Sequence, residues 1–243
     1  MKVELDRVTK AFGRRTVLDR ISIQLPEGHV ISLLGANGSG KTTLLRLLAG
    51  VFNPDSGPNS FDGRPFQRGD LGQRSKLFFM PDFPPLLGGE TVLGHIGLTL
   101  RMFGRSGVPG IESTVCGLLE EFDLLSLIDA QTHTLSRGQS YKTALVSLLA
   151  VDPDLWLMDE PFASGMDPAG LSALKRHLRA GAARGRTILF STQIVELLRG
   201  TADHVLVVKE SGVELHGSPA ELPASVLERI SRNPPADGKE KQP

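Results

Sequence analysis

The stretch Gly35-Ala36-Asn37-Gly38-Ser39-Gly40-Lys41-Thr42-Thr43 constrains this chain more than any other. It fits the pattern of glycine, four residues, glycine, lysine, then serine or threonine, which describes a loop wrapped around phosphate. The flanks supply the physical context. Val30-Ile31-Ser32-Leu33-Leu34 is an apolar run of strand length, and Leu44-Leu45-Arg46-Leu47-Leu48-Ala49 favours helix. Gly35, Gly38 and Gly40 let backbone N–H groups converge where a Cβ would obstruct. The helix start adds unpaired N–H groups and the positive end of its dipole. Lys41 is expected to reach the β- and γ-phosphates, and Thr42 to offer a hydroxyl to Mg²⁺. A glycine-rich turn carrying a lysine by chance is the plain alternative, and the flanking strand and helix count against it. The stretch predicts a bound nucleoside triphosphate.

A second feature lies far downstream. Leu155-Trp156-Leu157-Met158 is continuously apolar, as expected of a strand covered on both faces, and it ends in Asp159-Glu160-Pro161. Two carboxylates at the end of a buried parallel strand are costly unless they meet a cation or move a proton. Open α/β sheets bind ligands at that edge. Asp159 suits a Mg²⁺ ligand, directly or through water, and Glu160 suits a general base on an attacking water. A solvated turn with two exposed acids is the bland reading.

The chain has 243 residues, enough for one large domain or one domain with an inserted subdomain. Lysine plus arginine equals aspartate plus glutamate at 27 each, so no global field favours nucleic acid. Cys116 is the single cysteine, which excludes an internal disulfide framework and fits a reducing compartment. The histidines do not pair with it at zinc spacing, so no structural metal is expected. The first residues, Met1-Lys2-Val3-Glu4-Leu5-Asp6, carry charges where a signal peptide needs an apolar run. No stretch approaches the roughly 20 apolar residues of a membrane span. A soluble protein is expected, with any membrane role coming through a partner.

Residues 2–25 alternate as strands about a turn at Phe12-Gly13-Arg14-Arg15, and Pro26-Glu27-Gly28 is a second turn. Phe12 is either core filling or a platform for an adenine ring. Phe61-Asp62-Gly63-Arg64 reads as a strand end and hairpin turn. Leu77-Phe78-Phe79-Met80 is a short strand stopped by Pro81, and Pro84-Pro85 with Gly88-Gly89 reads as a hinge or lid. From Thr91 to Leu127 the periodicity is helical, suggesting a helical insertion between strands of one sheet. Ser136 and Gln139 have capping-box spacing for a further helix, with Ala144, Leu145, Leu148 and Leu149 as its buried face. A helix through about Arg184, a strand Thr187-Ile188-Leu189-Phe190-Ser191 and a hairpin around Ser211-Gly212 follow. The tail at 233–243 has a disordered composition.

In order and spacing, the phosphate loop, Leu135-Ser136-Arg137-Gly138-Gln139 and the strand-end carboxylates resemble the nucleotide-binding subunit of ATP-binding cassette (ABC) transporters. The resemblance covers residues 2–222, and its most specific element matches the family signature Leu-Ser-Gly-Gly-Gln in four of five positions. It implies an α/β fold: a P-loop NTPase core with a mainly parallel sheet, an antiparallel β subdomain and an inserted helical subdomain. The ATPase domain would span 1–232, with core segments 1–82 and 151–222 and the helical insertion at about 83–150. Phe12 matches the aromatic that stacks on adenine. Gly35 to Thr43, including Asn37 and Ser39, match the phosphate loop. Ser136, Gly138 and Gln139 belong to the signature, where Ser136 and Gly138 would contact the γ-phosphate bound by an opposite subunit. Asp159 and Glu160 match the magnesium-site aspartate and the catalytic base. Ser164 to Asp167 match a loop that crosses the subunit interface. ATP and Mg²⁺ are the implied cofactors, with Thr42, Asp159 and Asp82 at the metal.

Two positions depart from the family pattern. Asp82 stands where the family usually has glutamine, and Gln193 stands where it has a histidine. Aspartate can still coordinate a cation. Gln193 can hydrogen-bond a γ-phosphate but cannot carry a proton as imidazole can. With Glu160 present, slow hydrolysis is expected, with Glu160, Lys41 and Gln193 as the catalytic set. The implied function is an ATPase subunit driving a separate integral-membrane permease, an exporter by analogy. It would pair with a second cassette, identical or different, on the cytoplasmic face of the membrane. A low-turnover ATP-gated switch is the alternative. A cassette ATPase of DNA repair or translation fits less well, since the neutral charge argues against a nucleic-acid partner.

Overall fold

The computed structural model describes residues 1–209 and 211–223. The tail at 233–243 therefore lies outside the described residues. The strands are β1 (Val3–Phe12), β2 (Arg15–Leu25), β3 (Val30–Leu34), β4 (Asn59–Phe61), β5 (Arg64–Pro65), β6 (Leu77–Met80), β7 (Leu155–Met158), β8 (Thr187–Thr192), β9 (His204–Lys209) and β10 (Gly212–His216). The helices are α1 (Lys41–Leu48), α2 (Leu71–Arg74), α3 (Val92–Met102), α4 (Ile111–Glu121), α5 (Arg137–Val151) and α6 (Pro168–Ala183). Among the described residues no helix is long and apolar enough to cross a membrane.

Two sheets organise these elements. One is a six-stranded sheet in the order β10-β9-β3-β8-β7-β6, parallel except for β10; the other is a four-stranded antiparallel sheet in the order β2-β1-β4-β5. The central strands carry side chains on both faces, and the period of two decides which core each joins. Ile31, Leu33, Leu157 and Leu189 pack with α1 and the antiparallel sheet. Trp156, Met158, Ile188 and Phe190 pack with α3 to α6 on the opposite face. A strand covered this way must be apolar at nearly every position, which is why β7 reads as an unbroken run and β3 is interrupted only by the buried Ser32.

Helices α3, α4 and α5 stand between β6 and β7 in the chain, yet β6 and β7 pair directly with Leu77 opposite Leu155. Thr91 caps α3 through its hydroxyl, which accepts the N–H of Gly94 at 3.0 Å. Helix α5 departs from the expected single buried face: Tyr141 to Val151 are buried all round, Lys142, Thr143 and Ser147 included. It is held between α3 and α4 on one side and the sheet on the other, so few of its faces reach water. Thr143 and Ser147 satisfy their hydroxyls on the carbonyls four residues earlier, at 2.9 and 3.1 Å, so their burial leaves no donor unpaired.

Parallel register then positions the site. Leu34 lies opposite Thr192, Met158 opposite Phe190, and Met80 opposite Met158. The carboxyl ends of β3, β8, β7 and β6 therefore reach one edge of the sheet. Whatever residues follow those strands must meet there.

Candidate functional site

Four strand ends deliver the phosphate loop, Gln193, Asp159 with Glu160, and Asp82 to one cavity of about 430 Å³. Phe12, Asn37, Gly38, Gly40, Lys41, Thr42 and Thr43 also line it. A larger groove of about 680 Å³ lies away from this chemistry, among Leu93, Leu100, Ile111, Val115 and Leu125 of the helical region.

The loop has the backbone its glycines permit. Gly38 and Gly40 take φ of 76° and 112°, a region L-residues with a Cβ avoid. Gly35 is needed for a different reason: a Cβ there would lie 2.6 Å from Ser39 Oγ and 2.8 Å from the Val208 carbonyl. Helix α1 starts at Lys41 without a side-chain cap, so its first N–H groups remain free for an anion. Lys41 is buried; its ammonium donates to the Gly35 and Ala36 carbonyls at 2.8 and 3.2 Å and lies 3.7 Å from Glu160 Oε1. Burial lowers its pKa, and the charges of Glu160 and Asp159 oppose that shift.

Asp159 is fixed at both oxygens. Thr42 Oγ1 donates to its Oδ2 at 2.8 Å, and Ser191 Oγ donates to its Oδ1 at 2.5 Å. Ser191 Oγ in turn accepts the Glu160 N–H at 2.8 Å. Glu160 sits in the left-handed region at φ 47°, ψ 48°, a conformation a non-glycine residue holds at a cost of about 1–3 kcal/mol. Two bonds hold it there: the Glu160 N–H donates to Ser191 Oγ, and the Ala163 N–H donates to the Glu160 carbonyl at 3.0 Å. Burial raises the Glu160 carboxyl above its ordinary value, Lys41 opposes this, and Asp159 and Asp82 add to it. A raised carboxyl near a lysine has the character of a tuned proton acceptor.

These residues fit a triphosphate with Mg²⁺. Among the described residues the buried Gln193 Oε1 at this cavity has no hydrogen-bond partner, and Gly38 and Gly40 on its lining hold a backbone that residues with a Cβ avoid. Among the described residues no three His, Cys, Asp or Glu side chains form a metal cluster. Thr42 and Asp159 provide two hard oxygens, which suits an ion that takes the rest of its shell from phosphate and water, as Mg²⁺ does.

Other expected site residues fall elsewhere. Ser136, Gly138 and Gln139 do not line this cavity. Ser136 and Gln139 form the reciprocal capping box of α5, at 3.3 and 2.9 Å. Gly138 is pressed against the loop before α6, where a Cβ would stand 2.5 Å from the Gly165 carbonyl oxygen. Asp82 reaches the cavity, but its Oδ1 is 2.6 Å from Arg137 Nη2. Phe12 is 46% exposed, so core filling is not its role; it meets Phe52 edge-on with ring centroids 5.4 Å apart.

The sequence reading missed two residues. Arg15 lines the cavity and donates to the Gly38 carbonyl at 3.2 Å. Ser191 carried no signal beyond closing a strand, because its partnership with Asp159 depends on the register of β7 against β8.

Comparison with known proteins bears on this arrangement. The family model described as ABC transporter matches residues 18–163. The Nod factor export ATP-binding protein I of Paraburkholderia xenovorans is 35% identical over 225 residues, covering 93% of this chain and 73% of that protein. The sulfate/thiosulfate import ATP-binding protein CysA of Yersinia pestis is 35% identical over 226 residues, covering 91% of this chain but 62% of that protein. A solved structure of cbiO1 from Clostridium perfringens, part of the transporter complex cbiONQ, matches with a TM-score of 0.73 at 26% identity over 96% of this chain and 95% of that one. A further structure, described as the ATP binding subunit of an ABC transporter, has the same fold with a TM-score of 0.87 at 23% identity, covering 95% of this chain and 100% of that one.

Proposed function

This chain belongs to the ABC transporter family as one of its ATP-binding ATPase subunits, and on that premise we propose that it hydrolyses Mg²⁺-ATP to drive a separate integral-membrane permease. The observation that carries the reading is the convergence of Lys41 and Thr42, after β3, with Asp159 and Glu160, after β7, on one cavity.

In this reading the loop N–H groups and Lys41 hold the β- and γ-phosphates, and Phe12 lies against the base. Thr42 and Asp159 would hold Mg²⁺, whose charge offsets that of the phosphates. Asp159 is aimed by two hydroxyl donors, Thr42 and Ser191. Glu160 accepts the proton of the attacking water, and Gln193 offers its amide to the phosphate end of the cavity. Ser136, Gly138 and Gln139 act on the nucleotide of a second cassette subunit. That none of the three lines this chain's own cavity supports that assignment.

We assign the ATPase domain to 1–232, with the helical insertion at about 83–150 receiving the permease. The apolar groove among Leu93, Leu100 and Val115 supports a docking role for that region. The subunit would then work at the cytoplasmic face of the membrane. Export is the proposed direction, in line with the relative whose length the chain covers further. The relatives give the low-turnover switch no support.

The test is steady-state ATPase activity against protein concentration. Activity per chain should rise with concentration and vanish in Lys41→Ala. Activity that stays constant in a species shown to remain monomeric overturns the two-subunit site, and activity surviving Lys41→Ala overturns the assignment of hydrolysis to this cavity. Co-purification of an integral-membrane protein from solubilised membranes tests the permease.

A further inference from the structure

Asp82 and Arg137, the one signature position that does not match the family pattern, touch each other. Arg137, in the signature stretch, opens α5; Asp82 follows β6 at the edge of the sheet. Their side chains meet at 2.6 Å, each about half exposed. A solvated pair of this kind contributes little to folding, so its consequence must be sought in where the charges stand.

Asp82 stands on the wall of the nucleotide cavity beside Asp159 and Glu160. The other two carboxylates are balanced from within that wall. Asp159 accepts hydroxyl donors from Thr42 and Ser191, and Glu160 faces Lys41 at 3.7 Å. Asp82 is the one of the three whose cation comes from beyond the cavity lining. Without Arg137 the half-exposed Asp82 would present an unbalanced negative charge to a phosphate chain, and like charges a few ångströms apart repel even where solvent reaches them.

We propose that Arg137 is a positioning residue for triphosphate recognition: it turns and neutralises the Asp82 carboxylate so that the cavity accepts a terminal phosphate. The inference rests on the reading of this cavity as the nucleotide site. Its effect falls on the terminal phosphate, because Asp82 shares the edge of the sheet with Glu160 and Gln193 at the phosphate end.

The experiment compares binding of the non-hydrolysable triphosphate AMP-PNP with that of ADP, both with Mg²⁺, by isothermal titration calorimetry on the full chain. Arg137→Gln should lower the preference for AMP-PNP over ADP by about tenfold, the order expected for one uncompensated charge near a phosphate. Arg137→Lys should stay close to the parent. The deciding variant is Asp82→Asn. Combined with Arg137→Gln it should restore the preference that Arg137→Gln loses by itself. If Asp82→Asn and Arg137→Gln lower the preference equally, the pair is only a structural tie and the proposal is overturned. An unchanged preference in Arg137→Gln overturns it too. A parent chain that binds neither nucleotide overturns the proposed function and this inference with it. A parent that binds both, with Arg137→Gln indistinguishable from it, overturns this inference alone.

Discussion

Ser191 donates a 2.5 Å hydrogen bond to Asp159, although the two residues are separated by 32 positions and lie on neighbouring strands. The same oxygen accepts the Glu160 N–H at 2.8 Å. One hydroxyl thus orients the Asp159 carboxylate and the backbone of the residue that follows it. Ser191→Ala removes both bonds. A hydrogen bond to a charged group is worth about 1.5–3 kcal/mol, so turnover is expected to fall by at least about tenfold. Steady-state ATPase assays with a Mg²⁺ titration would show the loss, and the dependence on Mg²⁺ should shift to higher concentration.

Glu160 carries a pH prediction. Burial raises its carboxyl, Lys41 opposes the shift, and Asp159 and Asp82 reinforce it. A general base works only when ionised, so the rate is lost as pH falls through the raised value. The acid limb of kcat/KM should therefore lie above the ordinary carboxylate range. Glu160→Gln should lower kcat by about 100-fold or more and abolish that limb while nucleotide binding persists. An acid limb that survives in Glu160→Gln assigns the base elsewhere.

Gly138 is tested by adding a single methyl group. A Cβ at this position meets the Gly165 carbonyl oxygen at 2.5 Å, backbone against backbone, so the start of α5 must shift from the loop ahead of α6. Overpacking of this kind costs about 1–3 kcal/mol. Gly138→Ala should lower ATPase turnover and leave the affinity of the chain for ATP near that of the parent, because Gly138 does not line the cavity. Parallel calorimetric and turnover measurements separate the two effects.

Asp152 gives a test of stability. Burial works against its ionisation, yet hydrogen bonds from Arg186 and Arg184 outweigh it and hold the carboxyl below its ordinary value. Arg186 Nη2 and Arg184 Nη2 lie 3.0 and 3.1 Å from its oxygens. A depressed carboxyl contributes stability that is present above the unfolded-state value and lost as pH falls through the folded-state value. Asp152→Asn keeps a residue type that tolerates the left-handed conformation at φ 48°. It should cost about 1–2 kcal/mol in urea unfolding near neutral pH, and the difference from the parent should vanish at acid pH.

Much of this molecule was legible along the chain. The strand, glycine loop and helix around Gly35 to Thr43 form as the residues imply, because the constraints are local: φ angles only glycine accepts and an apolar run bounded by turns. The capping box of Ser136 and Gln139 is likewise local and present in full. Helix α5 was harder. Its sequence shows one apolar face, while its packing covers nearly every residue, since burial depends on what is laid against a helix and not on the helix itself. Phe12 could not be placed from residue type, because its 46% exposure depends on how the turn after β1 meets the phosphate loop.

The sequence by itself determined which local pieces exist and which chemistry they can carry: an anion-binding loop with its lysine, and a strand ending in two carboxylates. Those features rest on backbone geometry and side-chain type within a few residues. Tertiary structure alone decided that Ser191 holds Asp159, that Arg15 reaches the loop and that Arg137 meets Asp82. Each of these contacts joins elements far apart in the chain. The parallel register of β7 and β8 does so for Ser191 and Asp159, the antiparallel sheet brings Arg15 to the loop, and the packing of α5 beside β6 brings Arg137 to Asp82; no spacing along the chain encodes any of them.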